Sequence, residues 1–240
     1  MRSLKKMWHG NGERKPWLTR IFLVLFTLLV PLPILYLLIF RFVPVVGTPQ
    51  MVLYLVTGRD VRYSWQSYGE ISPALKRSVI ASEDQKFCTH HGFDMDSIEQ
   101  TIERHDANPH KRMRGASTLS QQVARTLFLL PVRSWVRKGM EAYFTVLIEA
   151  LWPKKRIYHA YLNLVDWGNG NFGAQAAAQD YFHEPASELT KIQAARLATI
   201  LPNPDVWRAD KPGAFVAKRS KVIKGRAADV RRDDLDFCVR

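Results

Sequence analysis

Two neighbouring acids, Glu83 and Asp84, stand directly after an amphipathic stretch that opens at Ser72 and Pro73. If that stretch is a helix, its C-terminus is the wrong end of the dipole for a carboxylate. The acid's proton affinity then rises, which suits a general base. A surface turn is the plain alternative. A second acid, Glu141, has Arg137 four residues and Lys138 three residues before it. On a helix this is an ordinary salt bridge worth ~0.2–0.5 kcal/mol. Together with Arg133 it is also a cationic strip beside an acid, suited to a pyrophosphate. Between the two acids, Gly115-Ala116-Ser117-Thr118 precedes an apolar periodic run. Small residues and hydroxyls before a helix N-terminus offer free N–H groups to an anion or a sugar, with a simple N-cap as the competing reading.

The elements that must hold these groups read as helices. Ser72 as N-cap and Pro73 at the first helical position open a segment in which Leu75, Val79 and Ile80 share a face. Asp96 with Glu99, and Thr190 with Gln193, have the spacing of capping boxes before further apolar positions. Leu119, Val123, Leu127 and Leu130 follow helical spacing until Pro131, and a longer helix runs from Trp135 to Trp152 before Pro153. No alternating strand pattern competes, so a mainly α domain is expected, with at most a marginal hairpin near residues 52–68. Asp94-Met95-Asp96 is a D-x-D, a metal and nucleotide-sugar signature. Asp96 is better used as a helix cap, and no G-x-G-x-x-G or βαβ pattern accompanies the triplet.

The 240 residues leave room for one sizeable domain plus attachments, and the net charge of +13 is unevenly placed. Arg2, Lys5, Lys6, Arg14, Lys15 and Arg20 face the single acid Glu13, after which Ile21 to Phe40 holds no charge. Twenty apolar residues cover the ~30 Å of hydrocarbon in a bilayer, and no small-residue cleavage site follows. The positive-inside rule puts residues 1–20 in the cytoplasm as a basic tail, 21–40 in the membrane and the remainder outside. Residues 41–60, broken by Pro44, Gly47 and Pro49, read as a membrane-proximal linker. An extracytoplasmic body excludes nucleic acid and nucleotide cofactors and leaves lipids, cell-wall polymer and other envelope proteins as partners. Two cysteines, Cys88 and Cys238, make no disulfide scaffold and no zinc spacing, and whether they pair stays open.

Taken together and in order, the chemical segments resemble the bacterial peptidoglycan glycosyltransferases of the penicillin-binding-protein type. They match E-D-x-x-F-x-x-H-x-G at Glu83–Gly92, G-x-S-T-x-x-Q-Q at Gly115–Gln122 and R-K-x-x-E at Arg137–Glu141. Lys154–Asn163 with Gly168–Phe182, and Leu189–Pro204, resemble two further motifs of the same family. No transpeptidase domain follows, so the chain is similar to the monofunctional biosynthetic transglycosylases of glycosyltransferase family 51. The resemblance covers roughly residues 60–207. It departs from the family at Arg125-Thr126, where Lys-Asn is common, and at His159, where an acid is usual.

The resemblance implies a lysozyme-like helical glycosyltransferase domain at 61–215, followed by a tail at 216–240 without a recognised match. It implies polymerisation of lipid II at a bacterial cytoplasmic (inner) membrane. The lipid-linked nascent glycan is the donor, a fresh lipid II the acceptor, and other cell-wall synthesis proteins the partners. Glu83 and Glu141 are then the catalytic acids. Asp84, Phe87, His90, Gly115, Ser117, Thr118, Gln121, Gln122, Arg125, Arg133, Arg137 and Lys138 are the substrate-binding set. No cofactor is required by the sequence; Mg²⁺ or another divalent cation would accompany the pyrophosphate. The alternative is a membrane-anchored muramidase, which would use two carboxylates to cut the same glycan.

Overall fold

The computed structural model describes residues 16–108, 117–132 and 134–240, so Gly115 and Arg133 lie outside the described residues. The apolar N-terminal segment is helical in two pieces, α1 (Pro16–Leu29) and α2 (Pro31–Phe40). Together Trp17–Phe40 is long and apolar enough to cross a membrane. Pro33 has no N–H to give the Leu29 carbonyl one turn earlier, and the Tyr143 hydroxyl donates to that carbonyl instead at 2.6 Å. The indole of Trp152 donates to the Leu37 carbonyl at 2.6 Å, and Arg156 Nε donates to the Phe40 carbonyl at 2.9 Å. Most of α1 is exposed, whereas α2 is fastened to the folded body.

The hairpin expected near residues 52–68 does not form, and part of the membrane-proximal segment at 41–60 is helical and packed against the body. A short helix, α3 (Pro49–Val56), is capped by Thr48 and buries Met51 and Tyr54. Strand β1 (Arg62–Tyr63) does not turn back on residues near 52. It pairs in parallel with a distant two-residue strand, Asn171–Phe172, here β2. The reason is local. Gly170 takes φ +75°, its carbonyl accepts from Arg62 N at 2.8 Å, and a Cβ there would lie 2.3 Å from the Asp60 carbonyl oxygen. Only glycine permits that approach.

The body is built around α4 (Pro73–Glu83), α5 (Met95–Asp106), α6 (Leu119–Phe128), α7 (Trp135–Leu151) and α8 (Lys154–Leu164). It is completed by α9 (Ala174–Phe182), α10 (Lys191–Ile200) and α11 (Ala214–Arg232). Among the described residues it is mainly α, as expected. Helix α8 runs through the middle, with Ile157, Tyr158, Ala160, Tyr161, Leu162, Asn163 and Leu164 all buried. Ser72 caps α4 and Thr190 with Gln193 boxes the start of α10, as the sequence predicts. Two boundaries differ. The cap of α5 is Asp94, whose carboxylate accepts from Ser97 N at 3.1 Å, while Asp96 lies in the first turn and pairs with Lys86 at 2.7 Å. Helix α6 stops at Phe128, because Leu130 precedes Pro131, whose ring disfavours helical backbone there.

The boundary expected at 215 falls inside the first turn of α11, which packs against α4 and α10 and buries Val216, Ser220, Ile223 and Val230. The segment read as a tail is therefore a wall of the body. A disulfide between Cys88 and Cys238, with Cα atoms 5.4 Å apart, fastens the end of the chain to the loop after Glu83. Closing a 150-residue loop removes chain entropy worth ~5 kcal/mol, and lost native disulfides typically cost ~2–5 kcal/mol. Cys88→Ser or Cys238→Ser is expected to lower unfolding free energy within that range. Denaturant melts of oxidised and reduced protein should coincide in the variants and differ in the wild type.

Candidate active site

Glu83 is the last residue of α4, half-buried, and no cation pairs with it among the described residues. Gln122 Nε2, from α6, donates to one carboxylate oxygen at 3.1 Å, and the Ser82 hydroxyl lies 3.3 Å from the other. The Tyr161 hydroxyl, from α8, donates to Gln122 Oε1 at 3.3 Å and so holds the amide with its NH₂ toward the acid. Burial pushes the Glu83 carboxyl above its ordinary range. The Gln122 and Ser82 hydrogen bonds and the Arg125 charge oppose that rise, while Asp84 adds to it. The sequence expectation of a raised proton affinity holds, but withdrawal from water is the leading cause.

A base that must be ionised loses activity as pH falls through its pKa. The acid limb of kcat/KM is therefore expected above the ordinary glutamate value of ~4.3. It should move higher still in Arg125→Ala, which removes a charge favouring the carboxylate. A limb at the ordinary value, unmoved by Arg125→Ala, would exclude Glu83 as the titrating group.

Asp84 is buried and fully engaged by the protein. Its carboxylate accepts from His90 Nε2 at 3.0 Å and from Leu119 N, at the N-terminus of α6, at 2.9 Å. There the helix dipole favours a negative charge. His90 Nδ1 accepts from Gly92 N at 3.2 Å, which assigns the Nε2–H tautomer. Gly92, at φ +90°, brings the chain so close to α7 that a Cβ would meet Thr145 Cγ2 at 2.9 Å. Thr118 and Gln121 make the reciprocal capping box of α6, and the Thr118 hydroxyl donates to the Gly92 carbonyl at 2.6 Å.

Several of the residues expected to contact substrate also have packing or positioning roles in this arrangement. Phe87 is fully buried against Tyr158 and His90, so it is a core residue. His90 is buried with both ring nitrogens paired and positions the loop, while Gln121 is buried and its Oε1 is engaged in the capping box of α6. His159 also has a packing role. Its Nε2 meets the Gln66 carbonyl at 2.7 Å between Trp65 and Tyr68, and burial lowers its pKa.

On α7, Glu141 is buried and bound at both oxygens, by Arg137 Nη1 at 3.0 Å and by Lys138 Nζ. Arg137 Nε is buried without a partner among the described residues. Tyr143, two residues on and therefore on another face of α7, holds the Leu29 carbonyl, so the same helix that carries the cationic strip also meets the apolar N-terminal segment. Among the described residues no three His, Cys, Asp or Glu side chains gather as a metal site. Both Glu141 oxygens are engaged by cations, so among the described residues that carboxylate has no free oxygen for a metal.

A cleft of about 250 Å³ opens at Glu83. Ser117 lines it, its hydroxyl buried and without a partner among the described residues. Asp84 and Thr118 border it through atoms already engaged, and Lys86 is paired with Asp94 and Asp96. Arg226, from α11, lines the same cleft. Sequence reasoning missed Arg226, Ser82 and Tyr161. The hydrogen-bonding pair Tyr161 and Gln122 has no local signature, and Arg226 sits in a helix whose basic character gives no hint of a cleft.

The transglycosylase family model matches residues 50–228. The biosynthetic peptidoglycan transglycosylase of Caulobacter vibrioides is 48% identical over 222 residues, covering 92% of this chain and 96% of that protein. That of Rhodospirillum centenum is 47% identical over 213 residues, covering 88% and 90%. That of Chromohalobacter salexigens is 47% identical over 219 residues, covering 88% and 93%.

Proposed function

The chain belongs to the transglycosylase family, and from that membership we propose that it is a peptidoglycan glycosyltransferase that polymerises lipid II into glycan strands for the cell wall. One observation carries the assignment of the base. Of the acids lining the cleft, Asp84 and Asp94 are held by His90 and Lys86, and Glu83 alone combines burial, a raised pKa and no cationic partner among the described residues. Glu83 removes the proton from the acceptor GlcNAc 4-hydroxyl as that oxygen attacks the donor's anomeric carbon. The C–O bond to the pyrophosphate breaks, and the α linkage is inverted to β(1→4).

Arg137, Lys138 and Arg125 take up the charge on the departing lipid pyrophosphate. Glu141 holds the first two in place. The orphan Ser117 hydroxyl and Arg137 Nε are donors available to substrate oxygens. A divalent ion, where present, arrives with the pyrophosphate. A glycan-cutting reading is not favoured, because a hydrolase has no pyrophosphate for the cations to meet. Incubating purified full-length protein with labelled lipid II tests the assignment: polymeric glycan is expected, and its absence alongside release of soluble muropeptides from sacculi would overturn it.

The apolar Trp17–Phe40 segment fits a single-pass anchor in the inner membrane. Exposed Leu130, Val132, Trp135 and Val136 beside the cationic strip support contact of the body with lipid. The body lies outside the cytoplasm in our reading. The basic tail before Ile21 supports this, and so does the Cys88–Cys238 disulfide, since such bonds persist in oxidising compartments. Alkaline phosphatase fused after Arg240 is expected to be active in cells; an inactive phosphatase fusion beside an active cytoplasmic reporter would reverse the topology.

A further inference from the structure

At the far end of α4 from Glu83 lies a second cavity, of about 300 Å³, between the first turns of α4, the start of α10 and the middle of α11. Ten residues of helix, ~15 Å, separate Pro73 from Glu83, so this cavity is distinct from the catalytic cleft. Four cations line it: Arg77, Lys191, Lys224 and Arg231. No acid does. Lys224 and Arg231 are seven residues apart on one face of α11, and Ala227 and Ala228 between them leave the floor open.

The charge in this cavity is only partly compensated by the protein, through Arg77. Among the described residues, no carboxylate lies within ion-pair distance of Lys191, Lys224 or Arg231. Arg77 Nε reaches Asp236 at 3.3 Å, and Arg240, which shares Asp236 at 2.9 Å, is also paired with Asp234, so Arg77 is compensated while Lys191, Lys224 and Arg231 are not. Asp229, the one acid of α11, is paired with Arg232. Four like charges gathered around a concavity repel one another unless an anion joins them. Two guanidiniums with two ammoniums match the oxygens of a phosphate group, since the arginine fork binds such oxygens in pairs. The N-terminal turn of α4 adds the positive end of its dipole. The volume is at the low end for small-molecule sites, enough for a phosphorylated headgroup or a small phosphate ester.

We propose that the cavity between α4, α10 and α11 is a binding site for a phosphate-ester anion, held by Arg77, Lys191, Lys224 and Arg231. The site is separate from the pyrophosphate strip on α7 and does not depend on the role given to that strip. The ester is supplied either by an anionic lipid headgroup or by a soluble molecule.

Calorimetric titration of the full-length protein in uncharged detergent tests this, with glycerol 3-phosphate as the soluble probe. Dihexanoyl phosphatidylglycerol, below its micelle concentration, is the lipid probe. Both are titrated into wild type and into Arg137→Ala, the latter to remove the catalytic strip as a competing anion site. One saturable equivalent that weakens with added salt is expected in both backgrounds. Combining Lys191→Ala, Lys224→Ala and Arg231→Ala should weaken it by about tenfold or more. The charge-keeping set Lys191→Arg, Lys224→Arg and Arg231→Lys should retain it, which separates loss of charge from loss of fold. Tighter binding of the lipid probe assigns the headgroup as the source, and equal or tighter binding of glycerol 3-phosphate assigns a soluble ester. Absence of saturable binding by both probes, or binding unchanged in the triple alanine variant, would overturn the site.

Discussion

Glu83→Gln is expected to reduce polymerisation of labelled lipid II by about 10²-fold or more while leaving the fold and membrane insertion intact. The amide keeps the size of the acid and can still accept from Ser82 or Gln122, whose donors lie within 3.3 Å of the carboxylate oxygens. What it loses is the capacity to take a proton. The same change has a stability signature that separates a base from a structural residue. Burial raises the native pKa of Glu83 above its unfolded value, so the group favours folding below the unfolded pKa and loses that contribution as pH rises through the native pKa. At neutral pH, Glu83→Gln should therefore be as stable as wild type or more so, with the difference shrinking on acidification. Melting curves across pH check this. Retained polymer synthesis would remove Glu83 from the mechanism, and strong destabilisation at neutral pH would make it a structural acid.

Arg137→Ala separates a strand builder from a cutter. If Arg137 meets the leaving pyrophosphate, its loss should cost ~2–4 kcal/mol of transition-state stabilisation, some 30- to 1000-fold in rate toward lipid II. The structure adds a complication, because Arg137 also neutralises buried Glu141. Removing one member of a buried pair is typically destabilising by ~3–5 kcal/mol, and Lys138, which still binds Glu141, should keep the loss below that range. Arg137→Ala combined with Glu141→Gln removes both charges, so it should recover much of the stability and none of the activity. A wild type that frees muropeptides from pyrophosphate-free sacculi, with Arg137→Ala equally active, would refute the polymerase reading.

The sequence by itself determined whatever is encoded within a few residues. The charge-free run from Ile21 to Phe40 is an apolar helical segment because a helix pairs most of its backbone groups locally, without water or a distant strand. Helices α4, α7 and α10 begin where Ser72, Ser134 and Thr190 cap them, and Arg137, Lys138 and Glu141 meet because three and four residues make one turn. The five ordered motifs were legible for the same reason. Local spacing was less decisive at α5, where either Asp94 or Asp96 could cap and the hydroxyl of Ser97 favoured Asp94.

The tertiary structure decided which atoms of those motifs remain available. Phe87 and His90 stand in the most telling motif, yet packing against Tyr158 and pairing with Asp84 withdraw them from any ligand. Glu83 gains its raised pKa from burial by the surrounding body, and Gln122, 39 residues away, orients its carboxylate. The supposed tail became α11, bringing Arg226 to the cleft and Lys224 and Arg231 to the second cavity, and its end is tied by a disulfide spanning 150 residues. Burial, pairing and pKa depend on which distant segments exclude water from a side chain, and a one-dimensional pattern holds no record of those neighbours.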